Sequence, residues 1–211
     1  MKYLALFFLL ASVVSACGQN SLSTNSNEVT DIAPVEVNKD SLQEVRIKSK
    51  AEAAKSYLKT HSNFNQRYAI LIDMHMNSGK KRLFVYDLDS MKVVSSGLVA
   101  HGSGSNTEYR DSLVFSNVPN SYCTSIGKYK IGASYIGNFG KSYKLHGLDA
   151  TNNKAFERLV VLHRYSCVPD IEQPYEICNS LGCPMVSENY FLELDKYIAA
   201  SSKPLLLEIF Y

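Results

Sequence analysis

The chain has 211 residues, 45% hydrophobic and 20% charged, with a formal net charge of +2. That balance fits one ordinary domain with a buried core plus short extras, and it excludes a disordered or low-complexity chain. The charge is too small, and too evenly spread, for a nucleic-acid partner. Fourteen Tyr and nine Phe with no Trp lean towards β structure.

The N-terminus reads as an address. Lys2 supplies a positive start, and Leu4 to Val14 is almost wholly apolar but far shorter than the roughly 20 residues of a membrane-spanning helix. Val14-Ser15-Ala16 then leads to Cys17, a secretory signal pattern. Cysteine directly after small residues resembles a bacterial lipobox, which implies cleavage after residue 16 and lipidation of Cys17; an ordinary signal peptide cut near Ala16 is the alternative. Residues 17–39 are rich in Ser, Asn and Thr and read as a flexible tether. A single domain is expected over 40–211.

Ser41-Leu42-Gln43-Glu44 fits a capping box that opens a helix over 41–60, with Leu42, Val45, Ile47, Ala51, Ala54 and Leu58 on one face and Lys48, Lys50, Glu52 and Lys55 on the other, solvated one. Strands follow at Tyr68–Met74, Arg82–Asp87 and Lys92–Ala100, separated by polar turns, as in an antiparallel meander. His101-Gly102-Ser103-Gly104 is a flexible turn whose glycine spacing does not match a phosphate-binding loop. Leu113–Val118, Lys128–Ile136, Tyr143–Leu148 and Leu159–His163 are further strand-like pieces, and Asn152–Arg158 suggests a helical turn. Ser187 is placed to cap a helix running to Ala200, and Pro204–Tyr211 is the last strand. The expected fold is mainly β, a sandwich or barrel with an N-terminal helix and short peripheral helices.

The chemistry concentrates between His163 and Pro184. There are five cysteines; with Cys17 assigned to lipid, Cys123, Cys167, Cys178 and Cys183 remain. An exported chain meets oxidising conditions, in which spare thiols pair. A Cys167–Cys178 bond would close a loop of about twelve residues and contribute roughly 2–3 kcal/mol; free, partly buried thiols are the alternative. A zinc site of His163 and three cysteines is possible by count, but the spacings lack knuckle composition. In Gly182-Cys183-Pro184, glycine permits a sharp turn and proline stiffens it, which presents the thiol from a rigid elbow. Amides at Cys183, Gly182 and Leu181 would face an oxyanion, and a nearby histidine would generate the thiolate. A structural cysteine in a turn would look the same.

His163, a spacer over 164–179, then Ser180-Leu181-Gly182-Cys183 resembles the signature of the L,D-transpeptidase (YkuD-like) family. Leu181 stands where most members have His, and Pro184 follows the cysteine, as in the murein L,D-transpeptidase catalytic domain branch. Tyr68–Asp73, Val99–Ser105, Phe115–Ser121 and Leu145–Leu148 resemble that branch in the same order. The resemblance implies a cysteine-dependent acyltransferase without cofactor or metal. Cys183 attacks the amide before a D-alanine of a peptidoglycan stem peptide, with His163 as base and the backbone carbonyl of Arg164 orienting its ring. The thioester then passes to an amine to give a 3→3 crosslink. His146, His101, Ser180 and Gly182 are the substrate-binding candidates, with satisfied structural histidines as the alternative for the first two. The same acyl-enzyme would serve an L,D-carboxypeptidase or endopeptidase, and an idle peptidoglycan-binding lipoprotein would keep the fold. The expected setting is a monomer in the bacterial cell envelope, lipid-anchored and facing the periplasm.

Overall fold

Alternation of apolar residues on both faces of the first and last strands organises the domain. The computed structural model describes residues 39–109 and 112–211. The expected signal peptide, Cys17 and the tether as far as residue 38 lie outside them. Helix α1 spans Lys39–Lys59, so Lys39 belongs to the helix and Ser41 sits within its first turns rather than before them. Strands β1 (Tyr68–Asp73), β2 (Leu83–Asp87) and β3 (Lys92–Gly97) form the antiparallel meander. A long hairpin follows, β4 (Gly127–Gly137) and β5 (Gly140–Gly147), then β6 (Val161–Arg164), β7 (Met185–Val186), α2 (Glu188–Ala199) and β8 (Leu206–Phe210).

The strands make one eight-stranded sheet in the order β3-β2-β1-β8-β4-β5-β6-β7. The pairs β1–β8 and β6–β7 are parallel. Just past β3, Ala100 bridges Met185 of β7, with Ala100 N–H donating to the Met185 carbonyl at 2.8 Å. The two sheet edges therefore meet, and the mainly β architecture curls towards a barrel.

Period-two alternation sorts the core. Ile70, Ile72, Leu207 and Ile209 face α2, which contributes Tyr190, Phe191, Leu194 and Ile198. Ala69, Leu71, Leu206 and Phe210 face α1, which contributes Ile47, Ala51, Ala54 and Leu58. Leu42 and Val45, expected in that stripe, are exposed. The α1 face also holds two buried carboxylates: Asp73 pairs with Arg46 at 2.8 Å and Glu208 with Lys50 at 3.0 Å. Lys50 therefore docks on the sheet instead of joining a solvated face. Ser187 caps α2, its hydroxyl accepting the Tyr190 N–H at 3.1 Å.

Residues 113–118 do not form the expected strand. Their backbone bonds go to loops, Val114 N–H to the Ser105 carbonyl and Ser116 N–H to that of Thr124, and so this segment is tied to the His101–Ser105 turn. Residues 150–159 are a run of turns.

Candidate active site

Cys183 sits on a tight elbow built by its neighbours. Ser180 Oγ accepts the Gly182 N–H at 3.1 Å and donates to the Cys183 carbonyl at 2.6 Å. Gly182 has φ 115°, a conformation open to glycine and costly for other residues. A Cβ there would lie 2.8 Å from the Cys123 carbonyl oxygen. Pro184 then leads into β7, whose Met185 pairs with His163 of β6 in parallel register. The His163 N–H reaches the Pro184 carbonyl at 3.4 Å. Adjacent strands thus set the backbone of His163 alongside the end of the cysteine elbow.

The thiol rests on the backbone of the chain entering β6. Val161 N–H donates to Cys183 Sγ at 3.4 Å, and Sγ points to the Leu159 carbonyl at 3.8 Å. Burial raises its pKa above the ordinary thiol value, partly offset by the Val161 amide and by Arg158. At neutral pH the resting group is therefore a thiol. The His163 ring lies 3.1 Å through Nδ1 from the Arg164 carbonyl oxygen. A carbonyl can only accept, so Nδ1 carries the proton and Nε2 keeps its lone pair. Burial lowers the pKa of His163, which keeps the ring neutral and able to take a proton.

The other expected site residues fall in different places. Arg164 meets His163 through its backbone, while its side chain turns towards Gly140. Ser180 and Gly182 are buried and face inward; the Gly182 amide is committed to Ser180 Oγ, so both shape the elbow instead of lining a cleft. His101, expected at a cleft, is 1% exposed. Its Nδ1 takes a hydrogen bond from Arg82 at 2.8 Å and its Nε2 meets Asn106 Oδ1 at 2.6 Å. Burial and Arg82 push its pKa down to about 4. Its carbonyl accepts the Ser180 N–H at 2.9 Å, making it a buried support of the elbow. His146 lies on the outer face of β5, stacked on Phe156 at 4.8 Å.

Cys167 and Cys178 are disulfide-bonded, and Cys123 and Cys183 are free. The bonded segment sends Val168 and Ile177 into a small core with Leu98, Ala100 and Met185, beneath the strand that follows the elbow. Among the described residues no cluster of His, Cys, Asp and Glu is arranged to hold a metal.

Several site residues escaped sequence reasoning. Phe139, in the β4–β5 hairpin, stacks on His163 at 4.1 Å. Arg158 donates to the carbonyls of Ser116 and Cys123 at 2.8 and 2.7 Å, and so pins the 116–125 loop against the elbow. Leu159 is exposed with φ 58°. It ends the turn run in a Schellman arrangement, with Val160 N–H bonded to the Ala155 carbonyl and Leu159 N–H to that of Phe156. Leucine here, where glycine is usual, holds a strained backbone beside the thiol. No local sequence pattern marks Phe139 or Leu159; Arg158 was visible only as the end of a polar turn.

The chain matches the family model described as the L,D-transpeptidase catalytic domain over residues 38–206. A match over most of the chain defines the class: this protein belongs to the L,D-transpeptidase catalytic domain family. Among solved structures it is similar to an L,D-transpeptidase from Stackebrandtia nassauensis, at 15% identity and TM-score 0.41 over 69% of this chain and 56% of that one. It is also similar to one from Mycobacterium smegmatis, at 10% identity and TM-score 0.40 over 69% and 59%. A third, residues 123-326 of the enzyme from Xylanimonas cellulosilytica, is 14% identical with TM-score 0.38 over 68% and 60%. The chain thus spans less than two thirds of the length of these structures. No curated protein matches it.

Proposed function

We propose that this protein is a cell-envelope L,D-transpeptidase acting on peptidoglycan stem peptides through Cys183. The observation that carries the reading is the β6–β7 pairing, which sets His163, its Nδ1 on the Arg164 carbonyl, beside the Cys183 elbow. In this reading Sγ attacks the carbonyl of the amide between the third stem residue and D-alanine, and His163 Nε2 takes the thiol proton. The oxyanion is met by the amides of Cys183 and Leu181, because that of Gly182 is used internally. Nε2 then gives its proton to the nitrogen of the departing D-alanine, leaving a thioester on Cys183. A neighbouring stem's amine attacks the thioester and forms the new amide. The proton it loses returns through Nε2 to the thiolate. A neutral resting thiol and a neutral His163 ring support a proton transfer that accompanies attack in place of a preformed thiolate.

The lipobox-like Val14-Ser15-Ala16-Cys17 supports an anchor at Cys17 that holds the domain to a membrane, facing the periplasm. A Cys17→Ala chain moving from the membrane to the soluble fraction would bear this out.

The reaction is tested by incubating the domain with disaccharide-tetrapeptide. Release of D-alanine with accumulation of a crosslinked dimer is expected. Free tripeptide alone would identify a carboxypeptidase, and no turnover by the folded protein would count against an acyl-enzyme.

A further inference from the structure

Arg158 meets the nucleophile twice, through the backbone that follows it and through its own side chain. The backbone just beyond it is the seat of the thiol: the Leu159 carbonyl lies 3.8 Å from Cys183 Sγ, and the Val161 N–H donates to Sγ at 3.4 Å. The side chain folds back onto the elbow. A Cβ on Gly182, the residue before Cys183, would lie 3.4 Å from Arg158 Nη2 and 2.8 Å from the Cys123 carbonyl oxygen, to which Nη2 donates at 2.7 Å. The guanidinium is thus packed against the residue next to the nucleophile. Nη1 donates to the Ser116 carbonyl at 2.8 Å and to Ser125 Oγ, and Nη2 reaches Ser121 Oγ at 3.4 Å.

Every one of these acceptors is a neutral oxygen. No ion pair of the described residues includes Arg158, so its contacts fix the guanidinium in place without cancelling its charge. The side chain is half-buried, where a charge acts more strongly than in open water. The other titratable groups of the site carry no charge. Burial keeps His163 neutral on β6 and Tyr129 un-ionised on β4, the Tyr129 hydroxyl donating to the Ser125 carbonyl at 2.6 Å. Cys123 gives its thiol proton to the Gly104 carbonyl at 3.0 Å. Among the described residues Arg158 is therefore the formal charge that acts on Sγ, and it favours the thiolate.

We propose that Arg158 is the positioning residue of the nucleophile: it ties the thiol's seat, the elbow and the 116–125 loop together, and its charge stabilises the sulfur anion. Negative charge builds on Sγ twice in the reaction. It builds first as the thiol proton passes to His163 Nε2 and the S–C bond forms. It builds again as the C–S bond of the thioester breaks and the electron pair stays on sulfur. The resting thiol and the thioester are both neutral at sulfur, so the guanidinium favours the steps between them over either end state. The role in these two steps rests on the transpeptidase reading above.

Two alkylating agents of similar size, neutral iodoacetamide and anionic iodoacetate, separate the charge from the contacts. Reaction is followed on the Cys183 peptide, because Cys123 is also free, in the wild type, Arg158→Lys and Arg158→Gln, with melting curves to show that each is folded. Arg158→Gln keeps an amide donor for the Cys123 carbonyl but no charge, and Arg158→Lys keeps the charge. With iodoacetamide near neutral pH, Arg158→Gln should react about three- to tenfold more slowly, the loss of thiolate outweighing its greater nucleophilicity, and Arg158→Lys within about twofold of the wild type. The ratio of iodoacetate to iodoacetamide rates should fall about threefold in Arg158→Gln and hold in Arg158→Lys. In the wild type that ratio should exceed the ratio for a neutral cysteine peptide, a comparison that needs no variant. A wild-type ratio no higher than the peptide's, or equal slowing of both variants with the ratio unmoved, assigns Arg158 a structural part alone and overturns the proposal. In D-alanine release from disaccharide-tetrapeptide, Arg158→Gln should lose kcat about tenfold with KM within about twofold, since the anion exists only during the reaction; a loss confined to KM also overturns it. A folded wild type that releases no D-alanine overturns the transpeptidase reading and the two reaction steps with it, while the alkylation rates still decide the action of Arg158 on the free thiol.

Discussion

Gly102 and Gly182 touch backbone to backbone: a Cβ on Gly102 would lie 2.7 Å from Gly182 Cα. The turn after β3 is thus the bed on which the cysteine elbow lies, held by the Ser103 N–H to the Ser180 carbonyl at 2.8 Å. Gly102→Ala should force the elbow outward and destabilise the domain by roughly 1–3 kcal/mol, lowering Tm by about 2–4 °C per kcal/mol. Thiol acylation should slow at least tenfold, because a displaced nucleophile loses its alignment. Thermal unfolding and acylation kinetics check both, and an unchanged melting point with full acylation would refute the contact.

The histidine and thiol set the pH dependence. Burial lowers His163 from 6.5 and raises Cys183 from 9.0. The base is functional when neutral, so kcat/KM should fall on the acid side only below pH 6.5, and the profile should be level from there to about 9. Iodoacetamide should alkylate Cys183 slowly at pH 7 and faster above 9, since the thiolate is the reactive form. A reactive thiolate plateau below pH 6 would contradict this.

Acid should also unfold the domain through its buried histidines. His101 titrates at about 4 in the fold against 6.5 when unperturbed, and His163 shifts the same way. The unfolded chain therefore binds these protons first, and stability present above pH 6.5 is lost progressively as pH falls towards 4. Denaturant midpoints measured across that range should decline, and less steeply in His101→Gln.

The disulfide should matter to both stability and catalysis. Cys167 and Cys178 are 11 apart in sequence, and closing so short a loop is worth about 3 kcal/mol. The loop also carries Val168 and Ile177 into the packing around Met185. The Cys167→Ser/Cys178→Ser double variant should melt lower and acylate more slowly, although neither residue touches the thiol. An unchanged acylation rate would detach the loop from the site.

On the α1 side, Arg46→Ala strands the fully buried Asp73 without its cation. A loss of roughly 1–3 kcal/mol is expected, between the values of exposed and buried pairs, and Asp73→Asn in the same background should recover part of it. Urea titration of the three variants measures this.

Much of the architecture was legible in the chain because it rests on local periodicity. The meander Tyr68–Gly97, the capped α2 and the last strand all follow from alternation or helical spacing next to turn residues. What stayed hidden was non-local. Parallel pairing of β1 with β8, and of the short β7 with β6, depends on contacts between distant segments that no local pattern records. For the same reason Lys50 looked solvent-facing, although its partner Glu208 lies in the last strand. The cysteine elbow could be read from Gly182-Cys183-Pro184, but the direction of each side chain could not. Ser180 and Gly182 turned inward because their polar groups satisfy each other, and His101 is buried by Arg82, whose need for acceptors in the core was invisible without the fold. Phe139 and Leu159 reach the site only because the β4–β5 hairpin and the 150–159 turns flank β6.

The central claim, that Cys183 is an acylating nucleophile served by His163, is tested most directly by intact mass after incubation with a carbapenem. One covalent adduct per chain is predicted for the wild type, absent from Cys183→Ala and formed far more slowly in His163→Ala. A folded wild-type domain that stays unmodified, or an adduct that persists in Cys183→Ala, would contradict it.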